Sequence, residues 1–87
     1  MTNQANPAET KTFPTARAAK VAMNKATKAY DKAIHAYNAL RYATICAGVP
    51  EQWPQALLDA ETHRNNCRIA AENVYLNATS QGFRVTR

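Results

Sequence analysis

Glycine and aromatic residues are scarce in this chain: two glycines among 87 residues, and aromatic side chains at 8%. A strand-built domain needs β-branched and aromatic runs bounded by turn residues, and such runs are absent. No apolar stretch approaches the ~18 residues of a membrane-spanning helix. The N-terminus is polar, with no signal-peptide core, and there are two cysteines. The expectation is a cytoplasmic chain with reduced thiols and no membrane contact. Catalytic signatures are missing too. There are two histidines, no G-x-S-x-G, no phosphate-binding glycine loop and no nucleophile–base–orienter set. That pattern points to a non-enzymatic protein without a cofactor or a small-molecule substrate. Asn77-Ala78-Thr79 matches a glycosylation sequon, but it sits inside a helical pattern and reads as coincidence.

What the chain has is alanine. Hydrophobic residues make up 46%, with alanine the commonest of them and the strongest helix former. The length allows one domain. A chain this short buries only about 60–65% of its unfolded surface and commonly needs idealised packing or a partner to be stable.

Residues 1–12 are rich in Asn, Thr, Gln and Pro without periodicity, the pattern of an extended or disordered arm. Phe13-Pro14-Thr15 starts a helix, with Thr15 as N-cap. Nothing breaks that helix before Gly48, a glycine placed to end it. Pro54 suits the first turn of a second helix. Gly82 ends that one, with Phe83 placed to fold back as in a Schellman cap. The expected architecture is all-α: a long antiparallel helical hairpin over 13–82, with helices at about 15–47 and 54–81, and a tail over 83–87.

Two alanine ladders step by seven along the first helix. One runs Ala19, Ala26, Ala33, Leu40, Ala47; the other Ala22, Ala29, Ala36, Ala43. With Met23, Tyr30, Tyr37 and Thr44, the first ladder forms a heptad seam. Small residues in two adjacent columns call for another helix at close approach. Ala56, Leu57, Ala60, Arg64, Cys67, Ala71, Val74 and Ala78 supply the facing side. If the chain turns near Pro50, facing residues have numbers summing to about 101 at equal rise on both helices. Tyr37 then meets Arg64, Tyr30 meets Ala71, and Met23 meets Ala78. Large faces small, as close packing requires.

This Ala-rich, coiled-coil-like seam leaves apolar residues over. Leu58, Ile69 and Leu76 project from the side of helix two opposite its seam, and Ile34 and Ile45 flank the seam of helix one. Tyr42 lies on the outer face. Trp53, at the tip, reads as a plug over the bundle end or a hot-spot anchor. These seven residues are the candidate interface for a protein partner or for a second copy completing a four-helix bundle.

Two further constellations stand out. His63 and Cys67 are spaced i, i+4, with His35 at similar height. His35 turns away from the seam and a fourth ligand is lacking, so no metal site is expected. The net charge is +5. Arg17, Lys25, Lys28 and Lys32, with His35, form a basic stripe on helix one suited to phosphates or to an acidic protein. The leading functional expectation is a small helical protein that binds another protein, as an accessory, inhibitor or assembly subunit. A nucleic-acid-binding protein using the basic stripe is the first alternative. A structural subunit of a larger particle such as a virion is the second.

Overall fold

A computed structural model of the protein describes residues 12–86. The arm expected over 1–12 lies outside them except for Thr12, as does Arg87. Two helices, α1 (Ala16–Cys46) and α2 (Gln55–Ser80), pack against each other, and no strand occurs among the described residues. Each helix is one residue shorter at each end than the sequence reading has it.

The caps explain these bounds. Thr15 is the N-cap of α1, and its hydroxyl accepts the Ala18 N–H at 3.0 Å. Gly48 follows the last turn at φ +109°, and its N–H reaches the Ile45 carbonyl at 3.0 Å. Pro54 precedes the first turn of α2 rather than occupying it: its carbonyl accepts the Leu57 and Leu58 amides. At the other end of α2, Phe83 N–H reaches Ala78 O at 3.0 Å and Gly82 N–H reaches Thr79 O at 2.9 Å, with Gly82 at φ +88°. This bond pair is the Schellman motif, and Phe83 is half-buried beside it.

The antiparallel sense is fixed where the chain ends meet. Gln81 Oε1 accepts the Phe13 N–H at 2.7 Å, and Gln81 Nε2 donates to the Phe13 carbonyl at 3.0 Å. One side-chain amide thus holds the start of α1 against the end of α2, on a backbone segment with no intrahelical partners.

Burial is concentrated in Ala19, Met23, Ala33, Leu57 and Ala78, each at most 5% exposed. Ala26, Tyr30, Tyr37 and Thr44 are half-buried. Here the structure corrects the ladders. Leu40, Ala47, Ala29, Ala36 and Ala43 are exposed, and only Ala22 of the second ladder is half-buried. A seven-residue ladder on a helix of 3.6 residues per turn slips by about 20° per heptad. Leu40, three heptads past Ala19, has therefore turned about 60° out of the seam. The second ladder begins about 60° off and rotates further away. Helix two answers the first ladder over its first three members and leaves most of the second in solvent.

Candidate functional site

In an antiparallel pair, residues displaced in the same rotational sense from either seam emerge on the same broad face. Leu58 and Leu76 lie about 100°, and Ile69 about 120°, from Leu57 around α2. Ile34 and Ile45 lie about 60–80° from Ala19 around α1 in the same sense. The other seam residues of α2, Ala60, Arg64, Cys67, Ala71 and Ala78, lie about 20–80° to the other side of Leu57, so Leu58, Ile69 and Leu76 stand about 140–160° from the middle of the seam, on the back of helix two, while Ile34 and Ile45 flank the seam of helix one.

Two recesses lie along the junction of the helices. One, near the tip, is lined by Tyr37, Arg41, Trp53, Leu57, Leu58 and Glu61. The other, toward the open end, is lined by Met23, Thr27, Tyr30, Asp31, Arg68, Ala71 and Glu72. Exposure is high for such large groups: Leu76 53%, Leu58 42%, Trp53 40%, Ile45 38%. Ile34 and Ile69 are half-buried. Tyr42 is 73% exposed and turns toward the outer edge of α1. Trp53 lines the tip recess with Leu58 while staying open to solvent. The opposite broad face presents Ala29, Ala36 and Ala43 from α1 and Ala56 from α2, all exposed.

The register derived from the sequence is realised at the centre. The Arg64 guanidinium carbon stands 4.3 Å from the centroid of the Tyr37 ring, and both residues are half-buried. A cation over an aromatic face in that setting contributes about 0.5–2 kcal/mol. Sequence reasoning paired these two residues without foreseeing the cation–π contact; arginine opposite tyrosine at a seam position was the available signal.

His63 and Cys67 approach to 3.7 Å between Nε2 and Sγ. No third His, Cys, Asp or Glu converges with them among the described residues, and His35 is exposed on α1. Cys46 and Cys67 are both free thiols. The sequon lies in the last turns of α2, where Ala78 is fully buried and the Thr79 hydroxyl donates to the Tyr75 and Leu76 carbonyls. Among the described residues, no helix is long and apolar enough to cross a membrane.

Arg17, Lys25, Lys28 and Lys32 are all exposed. They lie along the outer edge of α1, about 160–240° from Ala19. Asp31 stands between them in sequence but turns away, into the recess shared with Arg68 and Glu72. The tail after Phe83 returns toward this edge, bringing Thr86 alongside Asn24, Thr27 and Lys28.

No family model, no curated protein and no solved structure matches this chain.

Proposed function

We propose that this chain is a non-enzymatic helical protein that works by binding another protein, as an accessory, inhibitor or assembly subunit. Ile34, Ile45, Leu58, Ile69 and Leu76 form its interface, with Trp53 and Tyr42 at the margins. The observation that carries the reading is how exposed the large apolar side chains are. The two-helix contact fully buries one large flexible side chain, Met23. Leu58, Leu76, Trp53 and Ile45 instead stay 38–53% exposed. Exposed apolar surface on this scale marks interaction sites. A recess beside an exposed tryptophan suits the anchor-in-pocket packing of interface hot spots.

The test replaces Leu58 and Leu76 by Asp together. Both are exposed enough that helix content and melting should survive the change. The parent is expected to self-associate in sedimentation equilibrium or to hold a defined partner in cross-linked pull-downs, and the double variant to lose that association. Identical sedimentation and capture by parent and variant would remove the interface.

A further inference from the structure

The hairpin separates charge along its length. Residues 12–35 and 64–86 come together at the open end and carry eight cations against two carboxylates, Asp31 and Glu72. The tip, residues 36–63, carries one cation against three carboxylates, Glu51, Asp59 and Glu61. Both carboxylates of the open end line the recess beside the seam; Asp31 is exposed and one turn from Lys28, so it trims the positive field at the margin of the outer edge. From Arg17 to Lys32 that edge runs about 22 Å. It bears Arg17, Lys25, Lys28 and Lys32, all exposed. Exposed Arg84, two residues before Thr86, which lines a shallow recess with Lys28, adds to the same end.

We infer that this edge is a docking surface for the phosphate backbone of a nucleic-acid duplex, separate from the apolar interface. Three physical points favour a duplex over an acidic protein. The edge is lysine-rich, and lysine is depleted from protein–protein interfaces. No tryptophan or tyrosine lies on it between Arg17 and Lys32, since Tyr30 is half-buried in the seam, whereas hot spots favour such aromatic anchors. It is also the rim of one helix, about 10–12 Å across with side chains, which matches the ≈12 Å width of a DNA major groove bordered by phosphates. A duplex carries a charge every ~1.7 Å of axis, so a 22 Å edge passes more phosphates than it has cations. Contact is to the backbone and therefore independent of sequence. The acidic tip is repelled, so the open end approaches first.

Fluorescence anisotropy of the full chain on labelled DNA and RNA duplexes of about 20 base pairs, at salt between about 50 mM and 200 mM, tests this. The parent should bind with Kd near 10⁻⁶ M at physiological salt, in the non-specific range, with a log–log salt slope of about −4. Lys25→Glu with Lys28→Glu and Lys32→Glu should weaken binding by about 100-fold or more at low salt and flatten the slope by about three units. Gln52→Glu, exposed at the tip, should leave both unchanged, and circular dichroism should show equal helix in all forms. Three results would each overturn the inference: no duplex binding at the lowest salt, a triple variant that binds like the parent, or polyglutamate binding as tightly as either duplex. The last would assign the edge to acidic proteins instead.

Discussion

Arg64 and Tyr37 show how one pair of side chains can set the register of two helices. Both are amphipathic. Tyrosine brings a large ring to an alanine-rich seam, and arginine lays its planar cation over that ring instead of reaching for solvent. The contact holds the helices in place lengthwise, where a run of alanines would let them slide. A double-mutant cycle with Tyr37→Leu and Arg64→Met should give a coupling of about 0.5–1 kcal/mol in urea denaturation. Additivity of the two single changes within about 0.3 kcal/mol would show that the contact contributes nothing. Gln81 acts at the same scale. Its amide has one donor and one acceptor aimed at one residue's backbone, and it satisfies both polar groups of Phe13 at once.

At the scale of the element, α1 is defined by its ends and by its repeat. Thr15, Gly48 and Gly82 are places where backbone chemistry leaves few choices, so the helix limits were legible to within one residue. The faces were legible only in part. The heptad spacing correctly identified Ala19, Met23, Ala26 and Ala33 as covered, but it extended the seam to Leu40 and Ala47. The drift between 3.5- and 3.6-residue periods carried those positions into solvent. Close approach at the covered ladder has a direct test. Ala33 is 3% exposed, and Ala33→Leu should cost about 1–3 kcal/mol, because added methylenes must displace packed neighbours. Ala39, exposed on the outer side of α1, should accept Leu almost silently. Equal melting temperatures for the two variants would contradict the close packing.

The whole molecule measures 49 × 28 × 13 Å between its outermost Cα atoms along its principal axes. The shortest of these is one helix thick. Stable domains pack at least two layers of secondary structure around a core, and this one offers a single layer with two open broad faces. Three of its five buried residues are alanines. A buried CH₂ gives about 0.8 kcal/mol, while ordering each backbone residue costs about 1–2 kcal/mol. A second layer would supply the missing burial. If a second copy provides it, the melting temperature should climb by several degrees over a hundred-fold rise in protein concentration, since mass action then adds about 2.7 kcal/mol. A melting temperature that stays flat over that range would leave a different protein as the partner. A concentration-dependent rise that persists in the Leu58→Asp, Leu76→Asp variant would move self-association to the alanine face.

The sequence by itself determined the helices, their caps, the single turn between them and the pairing of Tyr37 with Arg64. Each follows from local rules: alanine propensity, capping side chains, glycine at positive φ and equal rise on two antiparallel helices. Three things were decided only by the tertiary structure. The first is where the seam of α1 stops, because Leu40 and Ala47 are seen to leave it only once the rotational setting of the helices is known. The second is the clamp of Gln81 on Phe13, which joins residues far apart in the chain. The third is the separation of charge. The cations fall in two blocks, six from Lys11 to Lys32 and four from Arg64 to Arg87, with Arg41 alone between, and they become one basic end only because the hairpin folds Arg68 and Arg84 back alongside α1. Coulomb forces act through space, and the order of residues along the chain does not fix those distances until the chain has turned.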